Sequence, residues 1–205
     1  MTVPYELTGR ANQKGRTRDA LIAATRELLA QGVIPTMEAA AVAAAISRTT
    51  AYRYFPNLRA LLVAAYPHAD EQSLLGSDPP RDPLARLQIV AENHTRRILE
   101  YEPEMRAVLR LSLEDGSTDG PGLPMHRGLR TVWIEDALAP LKGQMAADKL
   151  RLLAQGIGAT LGIEAFVWLT DVARLSREDA AATLRSNASR LLRAAIAEKA
   201  APNGR

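Results

Sequence analysis

The chain has 205 residues and no cysteine, so it is long enough to bury its own core, and disulfide scaffolds and thiolate metal sites are excluded. Its net charge of +3 is unevenly spread: residues 1–66 carry eight Lys/Arg against four Asp/Glu, and the remainder eighteen against nineteen. A basic segment attached to a neutral body is the electrostatic footprint of a nucleic-acid contact, and a solvated basic face looks similar.

In chain order, residues 1–14 are polar and lack the apolar stretch of a secretory leader, so the expected setting is the cytoplasm. Leu21, Ile22, Ala24, Leu28 and Leu29 recur at helical spacing and Gly32 supplies a stop, which predicts a helix over 16–31. Thr36 caps a second helix over 37–44. Ser47 caps a short third one that Pro56 must end, because proline excludes its predecessor from helical geometry. Asn57 then caps a fourth, carrying Leu58, Leu61, Leu62 and Ala65.

Residues 76–83 hold a glycine and three prolines and form the clearest break in the chain, so the domain connection is expected near it. Beyond it, helical patterns run over 84–101, 103–113, 125–141, 148–173 and 177–199, with a Gly/Pro-rich loop at 114–124. No stretch alternates apolar and polar residues between turn signals. The expected fold is all-α: a three-helix, helix-turn-helix DNA-binding domain over 1–66 and a helical-bundle ligand-binding and dimerisation domain over 67–205.

Two short helices joined by a tight turn, the second opening Ser47-Arg48-Thr49-Thr50, have the dimensions of a helix-turn-helix, whose second helix enters the DNA major groove. Arg48 can donate to guanine, and Thr49 and Thr50 can bond a base or touch a thymine methyl, while Ser47, Tyr52 and Arg53 suit phosphates. The competing reading makes Tyr52, Tyr54 and Phe55 core aromatics and the cations a solvated face. Arg10, Lys14, Arg16 and Arg18 form a basic arm for phosphate or minor-groove contacts, or an ordinary basic tail.

The run Ile46-Ser47-Arg48-Thr49-Thr50-Ala51-Tyr52-Arg53-Tyr54-Phe55-Pro56-Asn57, preceded by Leu21-Ile22-x-Ala24, Leu28-Leu29 and Gly32, resembles the signature of the tetracycline-repressor (TetR) family. The resemblance covers roughly residues 16–62. It implies a homodimeric, ligand-responsive repressor that binds a palindromic operator in double-stranded DNA and is released by a small molecule. Arg16, Arg18, Thr36, Ser47, Arg48, Thr49, Thr50, Tyr52, Arg53, Tyr54, Asn57 and Arg59 are the DNA-binding candidates. The chain departs from the family pattern at Ala45, where a turn glycine is usual, at Ala40, where isoleucine is, and at Leu58, where a lysine is.

In the body, Leu184, Ala188, Leu191, Leu192 and Ala195 draw one apolar stripe, and Gly158, Ala159 and Gly162 allow close helix approach. These are read either as the protomer's own core or as a dimer interface, which the resemblance favours. Residues 152–170 approach membrane-spanning length, but Gln155 and Glu164 inside and Arg151 and Asp171 at the flanks point to a bundle helix. Glu164 needs a partner or water on that apolar helix. An arginine is the simple partner; a cavity for a cationic or hydrogen-bonding ligand, shared with Trp168 one turn on, is the other reading. His94 falls on the inward stripe of Leu87, Val90, Ala91 and Ile98, as a core histidine or a ligand contact, and Trp133 lines the same space or packs.

No catalytic constellation is visible: there is no nucleophile elbow, phosphate loop or metal-spaced histidine pair, and no cofactor or metal is expected. A helical small-molecule-binding protein without specific DNA recognition is the alternative to a regulator.

Overall fold

A computed structural model describes residues 5–31, 33, 35–65, 71–113 and 129–200, with side chains described except at 5–12, 111–112 and 199–200. Among the described residues the regular structure is helical, apart from a lone bridge between Lys142 and Met145. The helices are α1 (Tyr5–Ala30), α2 (Met37–Ala43), α3 (Arg48–Tyr54), α4 (Leu58–Ala65), α5 (Pro83–Glu100), α6 (Glu102–Leu113), α7 (Leu129–Ala137), α8 (Ala147–Thr160), α9 (Ile163–Val167) and α10 (Arg177–Ala200). A 3-10 turn (Ala139–Leu141) follows α7 and a π turn (Trp168–Val172) follows α9. Gly32, the 114–124 loop and the expected start of α7 at Met125 lie outside the described residues.

Two compact units result. Residues 1–69 group with 103–125, and residues 70–102 with 126–205. The Pro/Gly-rich 76–83 stretch therefore lies inside the second unit, where Leu74 and Leu75 are buried and Asn93 donates to the Leu74 carbonyl at 2.9 Å.

In the first unit Leu21, Ile22, Met37, Ala40, Ala41, Ala51, Phe55, Leu61 and Ala65 form one cluster. Ala40 is fully buried. A second cluster joins Leu29, Leu62 and Ala107, with Leu58 and Val108 packed on it. Arg26 donates through Nε to the Ala65 carbonyl at 2.6 Å, satisfying a terminal carbonyl of α4. The first helix is longer than expected, running back through Gly15 and Gly9 to Tyr5. Extending a helix that packing already holds costs far less than nucleating one, so two weak formers do not stop it. Lys14, Arg16 and Arg18 thus sit on a helix and not on an extended arm.

The second unit packs α5 against α10 and α7, α7 against α8, and α8 against α10. Asp82 caps α5 by accepting from the Ala85 amide at 2.9 Å, with Pro83 at the first helical position, where a missing N–H costs nothing. The long helix expected over 148–173 is interrupted: α8 ends at Thr160, and Gly162 is extended (φ −96°, ψ 172°) before α9 begins. Ala147–Val172 is apolar and long enough to cross a membrane by composition alone, but this break and the ion pair at Glu164 interrupt it.

Candidate nucleic-acid interface and a buried polar cluster

Three local caps build the α2–α4 region. The Thr36 hydroxyl accepts from the Ala39 amide at 3.0 Å, Ser47 Oγ from Thr50 at 3.2 Å, and Asn57 Oδ1 from Ala60 at 2.9 Å. Between α2 and α3 the Ile46 amide donates to the Ala41 carbonyl at 2.8 Å and the Ala45 amide to Val42 at 3.0 Å. That pair of bonds is a Schellman motif, which requires a left-handed residue after the helix cap. Ala45 takes that place with φ 54°. A left-handed conformation costs a non-glycine residue roughly 1–2 kcal/mol, and the turn forms nonetheless.

With this turn, α3 buries Ala51, and Phe55 just after it, in the core; Ile46 and Tyr54 pack beside them. The opposite side carries Ser47, Arg48, Thr49, Tyr52 and Arg53, all exposed, with Thr50 partly so. Ser47 Oγ also donates to Thr50 Oγ1 at 2.9 Å. Arg48 lies 5.6 Å from the Tyr52 ring centre and Arg53 5.5 Å from that of Tyr54, cation–π contacts that hold both guanidiniums along the helix surface. Arg18 of α1 lies 5.5 Å from the Phe55 ring, which brings it beside the end of α3, while Arg16 is exposed one turn-half earlier on α1. Asn57 and Arg59 are half-buried. Leu58 is partly buried and packs on the second apolar cluster.

Sequence reasoning missed the partner of Arg48. Its guanidinium forms an ion pair with Glu38 in the first turn of α2. The acid lies just upstream of the acid-free stretch that the sequence displays, and only the folded turn brings the two together.

In the second unit the expected ligand residues divide. His94 is 6% exposed, and its ring lies 5.7 Å from that of Trp133, tilted by 58°. Trp133 Nε1 donates to the Glu71 carbonyl at 2.7 Å, and Arg97 lies over the indole at 5.3 Å while pairing with the Glu71 carboxylate. Among the described residues no well-formed hydrogen bond reaches either nitrogen of His94 or Arg97 Nη1, although a Leu161 backbone group lies near the His94 ring. Burial, then the charges of Arg130 and Arg97, push His94 down to about 3 from 6.5; Glu164 and a Leu161 backbone group oppose them weakly.

Glu164 has the arginine partner: Arg130 Nη1 donates to its Oε2 at 2.9 Å and Nη2 to Oε1 at 3.4 Å. Partial burial pushes the Glu164 carboxyl up, but the Arg130 hydrogen bond and charge outweigh it and hold the group below the ordinary carboxylate value. A Cβ on Gly162 would stand 1.7 Å from Arg130 Nη1, so glycine there leaves the room that the ion pair occupies. Trp168 is 58% exposed and does not join the buried pair. Arg97 was missed by sequence reasoning, although its spacing of three from His94 puts it on nearly the same helix face.

The expected dimer residues also divide. Gly158, Gly162, Leu184 and Ala188 are buried within the protomer, whereas Leu191 is exposed and Ala195 half-buried. A periodic apolar stripe marks burial without telling which surface does the burying.

The arrangement of α1–α4, followed by a helical bundle, matches solved structures over most of its length. The TetR-family transcriptional regulator of Streptomyces coelicolor superposes with a TM-score of 0.62 at 24% identity, covering 89% of this chain and 82% of that one. This chain has the TetR fold. A TetR transcriptional regulator from Rhodococcus sp. RHA1 gives a TM-score of 0.56 at 22% identity, over 86% of this chain and 94% of that one. No family profile and no curated protein matches the sequence. The resemblance to TetR proteins in the 16–62 segment thus agrees with a whole-chain likeness of fold.

Proposed function

We propose that the chain is a TetR-family, ligand-responsive transcriptional repressor that works in the cytoplasm and is not an enzyme. One observation carries the reading: α3 turns its core residues inward through the Ala45 turn and leaves Arg48, Thr49, Thr50, Tyr52 and Arg53 on one outward face. On this reading Arg48, Thr49 and Thr50 meet base edges. Ser47, Tyr52 and Arg53 hold phosphates, and Thr36, Tyr54, Asn57, Arg59, Arg16 and Arg18 support the same contact.

A helix-turn-helix regulator reads two half-sites about 34–36 Å apart, which a homodimer on a palindromic operator supplies. To the second copy we assign the large, apolar and exposed Leu152 of α8, Trp168 and Val172 of the π turn and Leu191 of α10. Gly158, Gly162, Leu184 and Ala188 are buried within the protomer and Ala195 is half-buried, so of the residues on the apolar stripes Leu191 is the one we keep in the contact itself. A small molecule bound in the second unit, at His94 and Trp133, weakens DNA binding by the factor by which DNA weakens its own binding.

The test is titration of the full chain with DNA from upstream of its own coding region, at several salt concentrations. A site bound at least a thousandfold more tightly than unrelated DNA, with affinity falling steeply with salt, is the expected result. Weak and nonspecific binding to every fragment at low salt overturns the regulator reading and leaves a helical ligand-binding protein.

A further inference from the structure

The buried cluster around Trp133 has unspent hydrogen-bonding capacity, and that capacity has a sign. Trp133 has used its N–H on the Glu71 carbonyl, and Arg97 has used Nη2 on the Glu71 carboxylate. What remains among the described residues is Arg97 Nη1 and the ring nitrogens of His94, all shielded from solvent and without a well-formed hydrogen bond, with a Leu161 backbone group near the ring. Buried polar groups are nearly always paired, because each orphan forfeits the hydrogen bonds that water would give it.

Arg97 and His94 both lie against the Trp133 ring, so one shared partner is the economical way to satisfy them. Its chemistry follows from the donor count: Nη1 carries two N–H groups and a neutral imidazole one, against a single acceptor nitrogen. The formal charges agree. Both carboxylates near the cluster, Glu71 and Glu164, are already taken by arginines, and the two guanidiniums make the surroundings of His94 positive. A cationic ligand at Glu164 would have to displace Arg130. Around the donors, the Trp133 ring and Val90, Ala91 and Ile98 on the same stripe of α5 are apolar and closed to solvent, so a ligand enters there only as the packing opens.

Resting on the regulator reading above, we propose that the effector is an organic acid whose carboxylate binds Arg97 Nη1 and His94 and whose apolar body lies along Trp133. Two oxygens of a carboxylate satisfy the guanidinium N–H groups, and charge-assisted bonds of this kind are the strong ones. An amine of the same shape meets like charge and supplies donors where acceptors are needed.

The test is calorimetric titration of the full chain with benzoate, phenylacetate and indole-3-acetate, each beside its matching amide and amine. At least one acid should bind with one site per protomer, its amide at least tenfold more weakly, and its amine not at all. His94→Leu and Arg97→Lys should each weaken the acid at least tenfold, and His94→Leu should melt no lower than the parent, which separates lost binding from lost folding. Acids that bind no better than their amides overturn the proposal, as does a His94→Leu chain that binds like the parent. Absence of binding by all three acids overturns it too, with water alone meeting the orphaned atoms. If the chain binds its upstream DNA but no acid, the acid assignment falls and the regulator reading stands; acid binding without specific DNA binding gives the converse.

Discussion

Glu38 holds Arg48, the first residue of the helix proposed to enter the major groove, in an ion pair that spans the turn between α2 and α3. Both side chains are more than half exposed, so the pair adds little to folding. On the proposed function its effect falls on DNA binding, since the guanidinium would have to leave the carboxylate to reach a base, and the carboxylate would stay behind as a charge of the same sign as phosphate. Glu38→Gln should therefore raise affinity for the operator several-fold at low salt, and less at high salt as screening takes over. Titration at two salt concentrations measures this. Equal or weaker binding by the variant would show that the pair positions Arg48 instead of restraining it.

Ala45 is the second point of tension. Ala45→Gly removes the left-handed penalty at the Schellman position but adds freedom to the unfolded chain, so a net stabilisation of about 0.5–1 kcal/mol is expected. Urea unfolding read by helix content would show it as a higher midpoint at unchanged slope. A lower midpoint would mean that the Ala45 methyl makes contacts worth more than the strain.

His94 titrates near 3 in the folded chain against 6.5 ordinarily. The sign follows from proton uptake: below 6.5 the unfolded chain gains a proton there and the folded chain does not. This contribution is complete above pH 6.5 and is lost as pH falls toward 3, at no more than ~1.4 kcal/mol per pH unit. Other groups also titrate over this range, so the comparison is with His94→Leu. Its stability should fall less between pH 6.5 and 4.5 than the parent's, and parallel curves would refute the assignment.

The proposed dimer face can be separated from the core by two substitutions. Leu152→Glu, at a 62% exposed position, should leave folding within about 0.5 kcal/mol of the parent while shifting sedimentation equilibrium toward monomer. Leu184→Ala, at a buried position, should cost ~2–5 kcal/mol in unfolding. A Leu152→Glu chain that associates as tightly as the parent removes this face from consideration.

The α2–α4 region was legible in the sequence because its determinants are local. Thr36, Ser47 and Asn57 each cap the helix they precede, and Pro56 ends α3 from the next position, so α2, α3 and α4 fall within about a residue of their expected bounds. Where long-range partners decide, the sequence was silent. The break at Gly162 accommodates an ion pair between residues 34 apart, and the orphaned atoms around Trp133 depend on Glu71, 62 residues away. The stripe of Leu184 and Ala188 was recognised as buried, yet periodicity carries no label for self or partner. Trp168 does follow Glu164 by one helical turn, but that side of α9 is exposed, so the spacing brings the two together on the surface and not in a cavity.

Leu58 ties two properties together that a lysine would keep apart. Because its partly buried side chain packs on Leu29, Leu62 and Ala107, a lysine here would give up that packing to present its charge outward. On the proposed function, mutations that tighten DNA binding are therefore expected in α1 and α3, and fewer counterions should be released on binding than a lysine at this place would allow.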